Sequence, residues 1–462
     1  MNNKTLVDSL ITILGKDRVL TQNADLDRYS TDALTPFRSF GITHLFDQLA
    51  DVVVIPQTVD HILEIVKIAN ESHTPIIPYG SGTGVMGAVM PLKSGIILDT
   101  RNLNSIININ TQDRTATVES GLIIESLDIE LEKYSFSAGH DPYSHPIATI
   151  GGAISTNGVG YKAGSYGSMG EQVVSIEAVL PSGKLITTKS VPKYSSGPNF
   201  NHLFIGTEGV FGIITKATIK IFPIPESRIF STWAFNSFED GFMACSKLHA
   251  LGIRPTLMDL TQENDTTLLY LLHEGYVEGV YAQKTRTDSI LPDFGGRNIG
   301  TTKTEEYWNK RHDSALNYKK QALAQTRTVK WNRSSNRLFD YLHICLPISK
   351  VLEYKQECET ILASSNFKVV EYAIWSRPEM FSLMIEPKQS QSSASKEELS
   401  VIVEKILRLA QNFGGIMEYC HGPGTKLNHL VQEDMGSAHD TLKILKSSID
   451  PNNIMNPSKL GL

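Results

Sequence analysis

The chain is poor in the features that mark whole classes of protein. Its 462 residues include four cysteines, Cys245, Cys345, Cys358 and Cys420, scattered without a CxxC pair. That spacing argues against a structural zinc site, a disulfide scaffold or a resident iron–sulfur segment. No apolar run reaches the roughly eighteen residues that a membrane span needs, so no transmembrane segment is expected; peripheral attachment is left open. The opening MNNKTLVDSLITILGKDRVL lacks the basic start, apolar centre and small-residue cleavage site of a signal peptide. A cytoplasmic location is therefore expected. Excess charge of one sign is missing too. With 43 Lys and Arg against 49 Asp and Glu, the net charge of -6 offers no electrostatic footprint for nucleic acid. No internal repeat is visible.

What is present suits a globular protein. Hydrophobic residues make up 41% and charged residues 20%, enough apolar material for a core. The length exceeds the usual limit of a single core, so two or three domains are expected. DVVVIP (51–56) and TPIIPYG read as buried strands. Between them TVDHILEIVKIANES places Ile62, Ile65, Val66 and Ala69 on one helical stripe, with Thr58 as N-cap. GIILDT, ATVESG, the helix LIIESLDIELEKY and the strand QVVSIEAVLPSG continue the alternation. From about residue 226 come TWAFN, the helix FEDGFMACSKLHALG, TLMDL, YLLHEGY and VEGVYAQK, then DYLHICLPI, a helix, KVVEYAIW and MFSLMIEP. That interleaving predicts an antiparallel sheet with helices on one face. KQSQSSASKEE (388–398) reads as an exposed loop before the helix EELSVIVEKILRLAQNF. The last forty or so residues return to Gly, Pro and Asn punctuation and are expected to fold back on the first domain.

Three glycine segments stand out. PYGSGTGVMG (78–87) follows a strand and leaves its amides free to turn inward as an anion nest, or simply forms a tight turn. It ends in no GK[ST] and matches no dinucleotide fingerprint. HDPYSHPIATIGGAISTNGVGYKAGSYGSMGE (140–171) is long, polar and almost uncharged, as expected of backbone wrapped around a large polar ligand. GTEGVFGIITKATIKIFP is a glycine turn running into a strong strand.

The order PYGSGTG, ATIGGAISTNGVG with a later YG, VLPSGK and GTEGVFGII, closed by DPNNIMNP, resembles the FAD-binding flavoproteins of the vanillyl-alcohol-oxidase and p-cresol-methylhydroxylase (PCMH) type. Within them the chain is most similar to the branch of D-lactate and glycolate dehydrogenases, D-2-hydroxyglutarate dehydrogenase and alkyldihydroxyacetonephosphate synthase. The likeness is close over 50–225 and 415–462 and looser between. It implies an α+β fold: a bipartite FAD-binding domain of two α/β subdomains (1–225), an α+β cap carrying a mostly antiparallel sheet (226–415), and a C-terminal segment (416–462) that completes the active site.

The resemblance also implies which residues meet FAD. Pro78, Tyr79, Gly80, Ser81, Gly82, Thr83 and Gly84 would cradle the pyrophosphate, where backbone amides bring partial positive charge. Tyr143, Ser144, His145, Pro146, Thr149, Gly151 and Gly152 would run along the flavin ring and ribityl chain, followed by Thr156, Asn157, Gly158 and Val159. Glu208, Gly209, Gly212, Ile213 and Ile214 would hold the adenine end. The pyrophosphate loop contains no His or Cys for covalent attachment, so non-covalent FAD is expected; His140 and His145 border the second segment.

Oxidation of a 2-hydroxy acid requires a carboxylate anchor and a group to take the hydroxyl proton. Arg311, in EEYWNKRHDSALNYKK, resembles the arginine that anchors the carboxylate in the hydroxy-acid members; Arg377 in WSRPEMF is a second candidate. His421 in EYCHGPGTK reads by itself as a base, a metal ligand or a turn residue. The resemblance places it before the flavin as the base. Metal-dependent members carry histidines where this chain has RPEMFSLMIEP and a glutamate where it has Cys420, so no metal site is expected. The expected function is FAD-dependent, metal-independent oxidation of a small D-2-hydroxy acid of the D-lactate or glycolate type, by hydride transfer to flavin N5. The alternative is a flavin-dependent transferase resembling alkyldihydroxyacetonephosphate synthase, with no net redox change; a subunit of a larger electron-transfer complex is a third reading. Expected partners are the hydroxy-acid substrate, an electron acceptor (oxygen, a quinone or a protein) and a second copy of the chain as a homodimer.

Overall fold

The computed structural model describes residues 3–41, 47–332, 337–389 and 394–462. The loop expected at 388–398 lies partly outside the described residues, at 390–393. Three sheets carry the architecture. In the first, β1 (Val19–Leu20), β2 (Val52–Val54), β3 (Ile76–Tyr79) and β4 (Ile96–Asp99) lie in the order β1-β2-β4-β3. β2, β4 and β3 run parallel, which explains their unbroken apolar runs: both faces of the sheet are covered. The helix Val59–Ser72 buries Ile62, Ile65, Val66, Ile68 and Ala69, and Thr58 caps it by accepting the His61 N–H. The tail closes the open edge of the sheet. Ile76 N–H donates to the Ile454 carbonyl and Asn456 N–H to that of Ile76, at 2.6 and 2.8 Å.

The second sheet is antiparallel and contains β5 (Ile106–Asn110), β6 (Thr115–Glu119), β7 (Phe136–Ala138), β8 (Val173–Val179), β9 (Leu185–Thr187) and β10 (Ile213–Pro223). Its path is β5-β6-β10-β8-β9, with β7 paired to β10.

The third sheet contains β11 (Ser227–Phe235), β12 (Leu257–Glu263), β13 (Thr266–Gly275), β14 (Arg297–Asn298), β15 (Asp340–Cys345), β16 (Phe367–Trp375) and β17 (Met380–Pro387). All of its pairs are antiparallel, in the order β14-β11-β13-β12-β16-β17-β15. Residues in register across strands share a face. Leu269, Leu260, Ile374, Phe381 and Ile344 form one such row and are fully buried, beneath the helices Phe238–Ala250, Val351–Ala363 and Lys396–Asn412. Each of these side chains contributes about 1.5–3 kcal/mol. The opposite face is polar and aromatic. Tyr270, Asp259 and Trp375 align on it, and Ala373, Ser382 and His343 align beside them.

Some local expectations change. VEGVYAQK opens the helix Val277–Ile290. The segment 140–171 contains three short helices, Ile150–Thr156, Ala163–Tyr166 and Met169–Gln172. EEYWNKRHDSALNYKK is two helices, Thr302–Lys310 and Asp313–Gln321. The break has a cause in Arg311, whose Nη1 donates to the Trp308 carbonyl at 2.7 Å and occupies the acceptor that the next turn would need.

One buried ion cluster ties distant segments together. Asp340 on β15 is fully enclosed and accepts Arg38 Nε and Lys426 Nζ, each at 2.8 Å, as well as the Ser39 hydroxyl. A carboxylate in such a place is tolerable only with this much compensation.

Candidate active site

The three glycine segments, far apart in sequence, meet at the end of β3. A side chain on Gly80 would put its Cβ 2.4 Å from Thr149 Oγ1, and one on Gly209 would meet the Pro78 ring at 2.8 Å. Gly209 also has a φ of 78°, so contact and conformation both require glycine. Thr149 caps the helix Ile150–Thr156, which carries Gly151 and Gly152, and Gly151 packs on Ser120. Past the helix, Asn157 in the left-handed region accepts the Gly170 N–H, and Gly158 lies against the His140 ring. Glu208 N–H returns to the Ser155 carbonyl, and Gly212 abuts the Val179 carbonyl where Ile213 and Ile214 open β10.

The junction is lined with buried polar atoms that have no protein partner: Ser81 Oγ, Ser120 Oγ, His140 Nδ1, Glu208 Oε2 and Asn456 Oδ1. Buried hydrogen-bonding groups ordinarily find partners, so such a concentration fits a large polar ligand. Below it lie buried charges. Burial pushes the Asp32 carboxyl up, against the N–H groups of Leu34 and Gly87. Burial pushes Glu208 up as well, against the Gly424 N–H and Lys459, and it lowers Lys459, which donates to the Met90 carbonyl at 2.9 Å.

Of the second segment, Tyr143 to Pro146 borders the cap and the helix Ile124–Glu132. Tyr143 is half exposed and its carbonyl contacts His312 Nδ1, His145 pairs with Asp128 at 2.8 Å, and the Pro146 carbonyl accepts Lys319 Nζ. Ser144 caps the turn by accepting the N–H groups of Ile147 and Ala148.

The polar face of the third sheet meets the C-terminal segment at His421. His343 Nδ1 lies 2.9 Å from Ser382 Oγ, and Ser382 Oγ lies 2.9 Å from the Tyr419 hydroxyl. The His343 ring contacts Tyr341, Trp375 and His421. Further along the face, Tyr341 bonds Glu371 and Tyr307 donates to Asp259 at 2.6 Å. Glu418 Oε1 accepts the backbone N–H groups of Cys420 and His421 and lies 3.7 Å from His421 Nδ1. His421 Nε2 is 3.6 Å from Cys420 Sγ, which in turn lies 4.0 Å from the Val159 carbonyl. Enclosure disfavours the His421 cation, but Cys420 and Glu418 outweigh it and raise the pKa to about 10. His343, buried beside His421, Arg38 and Lys426, is held well below its ordinary value.

Arg311 is stacked on Trp308 with its Nε 3.0 Å from Asp141 Oδ2, so only Nη2 lacks an assigned partner. Arg377 reaches Glu171 at 3.3 Å, and its Nε is buried without a partner. Neither arginine is a free guanidinium fork.

Two family patterns match this chain: the FAD binding domain over residues 50–189, and the C-terminal domain of FAD linked oxidases over residues 224–460. The second spans more than half of the chain. The chain belongs to the FAD-linked oxidase family. It is therefore an FAD-dependent oxidoreductase, with the PCMH-type fold and antiparallel sheets. A probable mitochondrial D-lactate dehydrogenase of Danio rerio is 28% identical over 89% of this chain and 84% of its own length. Glycolate oxidase subunit GlcD of Bacillus subtilis (strain 168) is 25% identical over 100% and 97%. The alkyldihydroxyacetonephosphate synthase of Trypanosoma brucei brucei is 31% identical over 57% of this chain and 44% of its own. Among solved structures, an alkyldihydroxyacetonephosphate synthase superposes with a TM-score of 0.78 at 18% identity, covering 99% of this chain and 86% of that one. Substrate-bound p-cresol methylhydroxylase gives 0.78 at 18%, covering 99% and 96%. These structures establish the fold.

In this FAD-linked oxidase the sequence reading missed His343, Ser382 and Trp375. A signal was there: period-two reading of DYLHIC puts Tyr341 and His343 on one face and Leu342 and Ile344 on the other. Among the described residues no helix is long and apolar enough to cross a membrane.

Proposed function

We propose that this FAD-linked oxidase oxidises a small D-2-hydroxy acid of the D-lactate or glycolate type without a metal at the flavin. The observation that carries the reading is the meeting of two surfaces. The partnerless polar atoms of Ser81, Ser120 and Glu208 line the glycine junction. The segment that carries His421 beside His343 meets it where Gly424 N–H donates to Glu208 Oε1 and Cys420 Sγ lies 4.0 Å from the Val159 carbonyl. Pro78 to Gly84 would hold the pyrophosphate, Tyr143 to Thr149 with Gly151 and Gly152 the ring and ribityl chain, Thr156 to Val159 would continue that contact, and Glu208 to Ile214 would hold the adenine end. Bound FAD supplies a two-electron acceptor for the substrate hydride.

The protein does the rest. Arg311 Nη2 anchors the substrate carboxylate while Asp141 and the Trp308 carbonyl hold the other guanidinium nitrogens. His421 takes the hydroxyl proton at Nε2, with Nδ1 turned toward Glu418. Because its pKa is raised, His421 works from a neutral form that alkaline conditions populate. The stacked Trp308 and the tyrosines of the cap face exclude water. The loop 78–87 holds no His or Cys, which supports non-covalent FAD.

The division at 225 and 415, a homodimer and a cytoplasmic location complete the reading. The transferase alternative calls for unpaired cations near the flavin, and Arg228 is matched by Glu274. Anaerobic mixing of the FAD-loaded protein with a panel of D-2-hydroxy acids tests the proposal. Bleaching of the flavin by D-lactate or glycolate is expected; bleaching by none of the panel overturns it.

A further inference from the structure

Asp141, His145 and His312 each place one donor atom within 4.8 Å of the other two. They come from both sides of the junction: Asp141 and His145 from the second glycine segment, His312 from the helix break of the cap. Their surroundings resemble a coordination shell more than a chance cluster. His312 Nδ1 lies 3.2 Å from the Tyr143 carbonyl, which fixes the ring proton there and leaves the lone pair on Nε2. Nε2 lies 2.9 Å from Asp141 Oδ1, an ion-pair distance, and Asp141 is 2% exposed. A proton on Nε2 would make this an ion pair; a metal ion held by both atoms would take that proton's place. His145 is fixed from behind in the same way, its Nε2 2.8 Å from Asp128 Oδ2, so its lone pair sits on Nδ1. A carboxylate or carbonyl behind each ligating imidazole is the usual outer shell of a metal site. The two rings stack 5.2 Å apart, and a cavity of about 460 Å³ lined by Asp141, His145 and Asp128 offers solvent access to a remaining coordination position.

We propose that Asp141, His145 and His312 bind a divalent transition-metal ion, zinc being the best match to two imidazoles and one carboxylate, and that the ion clamps the cap to the FAD-binding part. Arg311 on Asp141 Oδ2 and the nearby Lys162 oppose a dication, so the site is exchangeable rather than permanently filled. It is distinct from His421 and does not rest on the redox reading, although Asp141 also holds Arg311: failure of the hydroxy-acid test leaves it standing.

The test is zinc titration of the FAD-loaded full chain, stripped with chelator, followed by metal analysis and thermal unfolding. One equivalent of Zn²⁺ is expected, with a rise in Tm. His145→Ala and His312→Ala should each weaken binding by at least about tenfold, and Asp128→Asn by about 10–100-fold through the outer shell. Retained flavin absorbance shows that each variant is folded. Should the variants fail to fold, Co²⁺ added to the unaltered protein reads the site directly, through d–d bands to the red of the flavin. Two results overturn the proposal: zinc binding that is equal in the unaltered protein and the two histidine variants, or no binding and no cobalt bands. Either means that Asp141 and His312 form a plain ion pair.

Discussion

His343 and His421 meet edge to face with ring centroids 4.8 Å apart, and their environments drive their protons in opposite directions. His343 is enclosed by the sheet and faces the cations of Arg38, Lys426 and His421 itself, so it stays neutral. His421 sits with Cys420 and Glu418 and holds its proton. Two imidazoles in contact cannot both carry charge cheaply, and the surroundings decide which one does.

The first prediction concerns pH. A base must be neutral, and the raised pKa of His421 moves its active limb above the ordinary histidine range. With a confirmed substrate, the rate of flavin reduction should climb through the alkaline range toward about pH 10. His421→Ala should remove that limb and lower the rate by about 10²–10⁴-fold. An unchanged profile in the variant rules His421 out as the base.

Replacing His343 by Phe keeps a ring but removes the nitrogen that partners the buried Ser382 hydroxyl, leaving Ser382 with Tyr419 alone. A loss of about 1–3 kcal/mol in urea unfolding is expected, with partial recovery in His343→Gln. No loss would mean that the chain from His343 through Ser382 to Tyr419 contributes nothing to stability.

Asp340 governs stability in acid. Burial raises its pKa, but Arg38, Lys426 and Ser39 outweigh burial and hold it down to about 2, below the unfolded value. Its contribution is therefore present above the unfolded pKa near 4 and lost as pH falls through about 2. Asp340→Ala should cost about 3–5 kcal/mol at neutral pH by leaving Arg38 and Lys426 uncompensated. It should also flatten the acid limb of a stability-versus-pH curve.

Gly209→Ala meets two obstacles, the Pro78 ring at 2.8 Å and a φ of 78°. We expect a cost of about 1–3 kcal/mol and a lower flavin-to-protein absorbance ratio after gel filtration. Full retention of FAD in this variant would show that the approach of the first and third glycine segments does not shape the cofactor site.

The glycine segments, the buried strands and the return of the tail were legible because each has a local cause. Unbroken apolar runs mark doubly covered strands, and Gly80 and Gly209 mark places where the backbone passes against the Thr149 and Pro78 side chains. His421 stood out through its neighbours in EYCHGPGTK. His343 did not, because a histidine within an apolar strand reads as core until the register sets it beside Ser382 and opposite Tyr419. Arg311 was legible as a residue but not as a partner of Asp141, 170 positions earlier, and the helix break at which it sits involves its own side chain.

The sequence by itself determined the family, the cofactor and the order of the elements, since these rest on short-range patterns of glycine, apolar periodicity and turn residues. Only the tertiary structure decided which ionisable groups share a neighbourhood. The proton states of His343 and His421, the compensation of Asp340, and the meeting of Asp141 with His145 and His312 depend on burial and on distances of a few ångströms between distant segments. Electrostatic energy is set by those distances and that enclosure, and neither is written in the local sequence.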